Sequence, residues 1–236
     1  MSFLSRSYYK PWYALLFSWL LLLSIVPQRC AATPKIGDDI LDGELKELFY
    51  RVRNSIMEKK PVSVIQEMVL ENPFVASKID DDARSGRTLL HYACEYTPQN
   101  SDLIQFLLQQ NPSAASNIFR RTGYTPLHAV CEGEPTLQVV QLLVNANPKA
   151  LTTQDSWGDT PLHMACGNGA SLEVIEYLAH QSPETCGIQN KDGETPLDFC
   201  KETDQSEDVI NLLAKLTPQS DSNDSKMTQQ QAHEEL

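Results

Sequence analysis

Short clusters of aliphatic residues return along this 236-residue chain at nearly constant intervals, and each cluster ends at a proline. Val64, Ile65, Met68 and Val69 precede Asn72-Pro73, and Leu103-Ile104-Gln105-Phe106-Leu107-Leu108 precedes Asn111-Pro112. Val139-Val140-Gln141-Leu142-Leu143 is followed by Asn147-Pro148, Val174-Ile175-Glu176-Tyr177-Leu178 by Ser182-Pro183, and Val209-Ile210-Asn211-Leu212-Leu213 by Thr217-Pro218. Apolar pairs one turn apart predict amphipathic helices. The X-Pro pairs end them, because proline disfavours helical geometry in the residue before it. Upstream, Leu41, Leu45, Leu48, Val52 and Ile56 fall at spacings of 4, 3, 4 and 4 and predict a further helix starting near Asp42-Gly43-Glu44. Pro61 suits the first turn of the helix that follows it.

A second pattern alternates with the first. Gly86-Arg87-Thr88-Leu89-Leu90-His91-Tyr92-Ala93-Cys94 is echoed by Gly123-Tyr124-Thr125-Pro126-Leu127-His128-Ala129-Val130-Cys131, by Trp157-Gly158-Asp159-Thr160-Pro161-Leu162-His163-Met164-Ala165-Cys166 and by Gly193-Glu194-Thr195-Pro196-Leu197-Asp198-Phe199-Cys200. Its threonines are 37, 35 and 35 residues apart. A period of that size marks stacked units, none of which buries its apolar face alone. The glycines supply a positive φ for a tight turn. The threonines cap a first helix, and Pro126, Pro161 and Pro196 fit its first position, where no amide hydrogen is needed. Asn100, Thr136, Ser171 and Ser206 stand three residues before the first aliphatic of each second helix and read as its N-caps.

These residues resemble the ankyrin repeat, whose signature opens Thr-Pro-Leu-His. The resemblance covers 79–216 well and 33–78 weakly. It implies an all-α solenoid of about five helix-turn-helix units: a degenerate capping unit at 33–78, then 79–116, 117–151, 152–187 and a C-terminal unit at 188–216. Residues 217–236, rich in Ser, Gln, Asp and Thr with almost nothing to bury, read as a disordered polar tail. Departures are the Asn-Pro ending, Leu89 in place of proline, and Asp198 in place of histidine, which marks the last unit as a cap. The resemblance further implies a protein partner on a concave face of turn tips and first helices. By motif position that face carries Arg87, Glu95, Tyr96, Arg121, Tyr124, Glu132, Trp157 and Asp159, with Ser85, Arg120, Thr122, Asp192, Glu194 and Lys201 at equivalent or adjoining places. Trp157 on a turn tip is either a binding anchor or a brace against Tyr124.

Charge and the two termini narrow the setting. A net charge of −12 argues against nucleic-acid binding, which needs a basic footprint. Arg6 and Lys10 precede an apolar run from Trp12 to Val26, and Cys30-Ala31-Ala32 offers small residues for cleavage, so residues 1–32 read as a signal peptide or, uncleaved, as a signal anchor that would bring the chain to a membrane. The chain closes on His233-Glu234-Glu235-Leu236, similar to the Lys-Asp-Glu-Leu and His-Asp-Glu-Leu endings read by an endoplasmic reticulum retention receptor, with Glu234 where the common forms have Asp. The expected location is the endoplasmic reticulum lumen, with secretion as the alternative, and the expected state is monomeric. Asn223-Asp224-Ser225 is a glycosylation sequon.

No catalytic function, cofactor or metal is expected. His91, His128 and His163 belong to separate units and read as structural, since one metal ion needs all its nitrogens within about 2.1 Å. Cys94, Cys131 and Cys166 share one repeat position and Cys200 lies one place earlier in its copy, so they read as small buried side chains. Phosphate loops, nucleophile elbows and His-Glu-x-x-His motifs are absent from the sequence. An acidic calcium buffer is the alternative from another class, although Asp80-Asp81-Asp82 lacks the spaced ligands and glycine of a calcium loop.

Overall fold

Ten α-helices in five pairs carry the architecture of the computed structural model, which describes residues 36–80, 85–203 and 205–217. The pairs are α1 (Ile36–Met57) with α2 (Val62–Glu71), α3 (Leu89–Tyr96) with α4 (Ser101–Gln110), and α5 (Pro126–Cys131) with α6 (Leu137–Ala146). They continue as α7 (Pro161–Gly167) with α8 (Leu172–Gln181), and α9 (Pro196–Glu202) with α10 (Glu207–Leu216). The chain from Leu41 onward forms one compact unit; a second ends at Ile40, and only Ile36–Ile40 of it are described. The signal segment 1–32, the tail from Pro218 with Asn223 and His233 to Leu236, and Asp81 and Asp82 lie outside the described residues. Helix α1 starts earlier than the periodicity indicates and runs through Gly43, which is exposed with no atom close to it.

The elements form two layers. First helices stack on first helices, α3 on α5, α5 on α7 and α7 on α9, and second helices stack in the same order from α2 to α10. Between the layers lie the aliphatics that set the sequence period. Leu103, Ile104 and Leu107 of α4, Val139, Val140 and Leu143 of α6, and Val174, Ile175 and Leu178 of α8 are all buried. Each such side chain contributes about 1.5–3 kcal/mol by leaving water. After each of α2, α4, α6 and α8 the proline opens a short 3-10 turn, Pro73–Ser77, Pro112–Ser116, Pro148–Thr152 and Pro183–Gly187, which leads to the next unit's opening turn.

Histidine joins each unit to the next. The backbone N–H groups of Thr88, Thr125 and Thr160 donate to Nδ1 of His91, His128 and His163 at 3.2, 3.2 and 3.1 Å. Because Nδ1 accepts, Nε2 carries the proton, and it donates to the carbonyls of Tyr124, Asp159 and Glu194 in the following units at 3.4, 3.1 and 3.1 Å. Burial pushes His91 and His128 down to about 4 and lowers His163 as well, so all three bridge as neutral rings. In the last unit Asp198 accepts from the Thr195 backbone and hydroxyl at 3.0 and 2.7 Å, keeping the cap. A carboxylate has no proton to pass on, and no sixth unit follows among the described residues to receive one.

A second stitch lies on the opposite layer. Asn111 and Asn147, which the sequence presents as helix terminators, each reach back one unit: their Nδ2 groups donate to the Ala76 and Ala115 carbonyls at 3.2 and 3.1 Å. Thr217 does the same to the Cys186 carbonyl at 3.3 Å. Ser182, in the same position, is shorter and makes no bond to the corresponding Leu151 carbonyl. Among the predicted second-helix caps, Asn100 and Thr136 accept from the amides of Leu103 and Val139, whereas Ser171 and Ser206 form no side-chain cap. Cys94, Cys131, Cys166, Cys186 and Cys200 are buried free thiols.

Candidate partner-binding face

Each of the four complete units opens with a finger-like turn closed by its own backbone. Asp155 accepts the amides of Trp157 and Asp159 on Oδ1 at 2.7 and 2.9 Å, and Asn190 repeats this with Asp192 and Glu194 at 3.0 Å each. Ser85 and Thr122 make the shorter version with the amides of Arg87 and Tyr124. The turns are not all of one length. The closing backbone bond runs from Asn190 to Glu194 and from Asp155 to Asp159, but from Phe119 to Tyr124 and from Asp80 to Arg87. The finger of the first complete unit is therefore the longest, a difference hidden when the copies are aligned on glycine.

Neighbouring fingers are hydrogen-bonded tip to tip. Arg120 N donates to Ser85 O at 3.0 Å, Ser156 N to Thr122 O at 2.8 Å, and Lys191 N to Trp157 O at 3.0 Å. Glycine is required where the strands of this ribbon meet: Gly158 has φ +87°, and a Cβ there would stand 2.8 Å from the Lys191 nitrogen. Gly193 has φ +84° but open space, since its finger is the last.

The predicted residues fall into four places. Tyr124, Glu132, Trp157 and Asp159 come together at the third and fourth units. Tyr124 stacks on His128 with ring centroids 5.6 Å apart, meets Trp157 edge-on at 6.1 Å, and directs its hydroxyl at the Met164 sulfur, 3.9 Å away. Trp157 is both brace and exposed surface: it packs on Tyr124 and still leaves 52% of its area in solvent. Burial, then the carboxylates of Glu132, Asp155 and Asp159, push the Tyr124 hydroxyl up to about 12. Burial and the neighbouring Glu95 raise Glu132, with Arg87 opposing. Asp159 is held by the Asn190 amide at 2.9 Å.

Arg87 and Glu95 lie beside this cluster as an ion pair, with the Arg87 guanidinium over the rings of Phe119 and Tyr92 at 4.2 and 5.4 Å. Much of Arg87 is thus engaged inside the protein. Tyr96 lies elsewhere, in an open cleft of about 720 Å³ that Glu95 also lines, with Lys59, Lys60, Pro98, Asn100 and Glu134. Arg121 is exposed on its finger. Met164, half-buried on α7 beneath Tyr124, belongs to the face but was absent from the expected set; its signal was its place directly after the histidine, shared by Tyr92, Ala129 and Phe199.

Among the described residues no group of three or more His, Cys, Asp or Glu side chains is arranged to hold a metal ion, and no helix is long and apolar enough to cross a membrane. Asp80, expected as part of an acidic cluster, is buried, accepts from the Tyr92 hydroxyl at 2.5 Å and lies 3.6 Å from Arg53.

What the stacked pairs, histidine bridges and fingers define is a repeat scaffold that presents a preformed surface. Residues 55–151 and 129–224 match the family model for ankyrin repeats (3 copies), together more than half of the chain, and the chain belongs to that family. Ankyrin repeats generally mediate protein–protein interaction and are typically non-enzymatic. No curated protein matches the chain.

Proposed function

We propose that this protein is a non-enzymatic adaptor that binds a protein partner across the fingers and first helices of its third and fourth units, acting as a monomer in the endoplasmic reticulum lumen. The observation that carries the reading is Trp157: an indole with half its surface in solvent, on a finger fixed by hydrogen bonds to both neighbouring fingers. A large aromatic side chain already held in place loses little entropy on association, which is the property of an interface anchor. The apolar segment at 12–26 behind Arg6 and Lys10, and the His233-Glu234-Glu235-Leu236 ending, support entry and retention.

Affinity capture under matched conditions tests the surface. Trp157→Ala is expected to weaken retention of the specific partner by about tenfold or more, while Phe74→Ala, which alters the most exposed large apolar side chain on the first unit, leaves it unchanged. Equal retention by both variants would remove Trp157 from the interface. Addition of one residue after Leu236 tests retention: release of the chain into the medium supports a receptor-read ending, and unchanged distribution refutes it.

A further inference from the structure

The fingers differ in charge along the row. Exposed Arg120 and Arg121 stand on the finger of the second complete unit, Trp157 and Asp159 follow on the third, and the fourth carries Asp192 and Glu194 with Lys191. Trp157 lies where the sign changes. Its indole meets the Tyr124 ring edge-on with centroids 6.1 Å apart and keeps 52% of its area in solvent, and the carboxylates of Glu132, Asp155 and Asp159 lie near Tyr124, whose hydroxyl is directed at the Met164 sulfur. In the same finger Asp155 is buried, only 7% exposed, with Oδ1 taken by two turn amides and Oδ2 accepting no hydrogen bond. The nearby ammonium of Lys191 is directed to the Ser156 carbonyl at 2.6 Å. An aromatic face attracts a cation through its quadrupole, and neighbouring carboxylates in a partly dry site strengthen that attraction.

Resting on the adaptor reading above, we propose that the exposed indole of Trp157 takes the lysine or arginine side chain of an extended segment of the partner. The alkyl stem lies along the exposed indole, and the charged head turns toward the carboxylates of Asp159 and Glu132. The same polarity sets the neighbouring position. Stacked helices stand about 8–10 Å apart, about three residues of extended chain, so an acidic residue about three positions away meets Arg120 or Arg121.

The sequence holds three tryptophans, Trp12, Trp19 and Trp157, so in the full chain with Trp12→Phe and Trp19→Phe the indole fluorescence reports Trp157 alone. The probes are pools of extended nonapeptides, randomised except for a central lysine, arginine, norleucine or glutamate. The lysine and arginine pools are expected to perturb the emission at about tenfold lower concentration than the norleucine pool. That preference should shrink between about 50 and about 500 mM salt, and Asp159→Asn should reduce it several-fold while leaving the norleucine response intact. A norleucine or glutamate pool that equals or exceeds lysine overturns the cation assignment and leaves docking at Trp157 standing. An emission unmoved by every pool overturns both.

Discussion

The buried histidines make stability depend on pH in a defined direction. His91 and His128 titrate near 4 when folded and near 6.5 when unfolded, so the unfolded chain binds more protons between those values. Stability is therefore full above about pH 6.5 and falls as the pH drops towards 4, by on the order of 3 kcal/mol per histidine at pH 4. Urea midpoints measured across this range should decline with acid, and His128→Asn should show a shallower decline; parallel slopes would contradict the bridge. Glycine offers a second residue-scale test. Gly158→Ala and Gly193→Ala share the penalty of a left-handed Cβ, about 1–2 kcal/mol, but only Gly158→Ala also forces a methyl against the Lys191 amide. Thermal melts should show a clearly larger loss for Gly158→Ala; equal losses would mean that the ribbon opens freely.

At the scale of elements, the helices and their order were legible because they follow from hydrophobic period and cap chemistry, which are local. What reaches between units was less so. Asn111 and Asn147 look like punctuation before proline, and nothing local reveals that their amides bond to carbonyls 35 and 32 residues earlier. Likewise Arg87, read as a partner-facing cation, lays its guanidinium over Phe119 of the next unit, a contact between units that no local pattern reveals. Met164 was missed because a methionine after the histidine reads equally well as core packing. The exception in the asparagine row makes a prediction. Ser182→Asn should restore the stitch to the Leu151 carbonyl and stabilise the protein by about 1 kcal/mol, the net worth of one buried hydrogen bond. A calorimetric midpoint unchanged or lowered by this variant would show that the site has no room for the amide.

For the molecule as a whole, the final unit differs from the interior ones in three connected ways. Where Cys94, Cys131 and Cys166 are buried, the fifth unit has the exposed Lys201; where the histidines donate, it has Asp198, paired with that lysine at 3.3 Å; and its glycine finger meets no neighbour. Each substitution replaces a group that needs a following unit with one that tolerates water. At the other end, Arg53 lies over the Tyr50 and Tyr92 rings and beside Asp80, tying the degenerate first unit to the regular stack with charge and aromatic surface rather than histidine.

The tip-to-tip bonds between fingers carry a last consequence, for the rate at which the chain trades hydrogen with solvent. Amides on turns ordinarily exchange fast, yet those of Arg120, Ser156 and Lys191 are locked to the carbonyls of Ser85, Thr122 and Trp157. They open only when two units part, so in deuterated buffer they should persist far longer than the amides of their neighbours Arg121 and Gln154, which make no such bridge. Their lifetimes would then measure the strength of each junction in turn, a read-out of how tightly every unit holds the next that no helix amide provides.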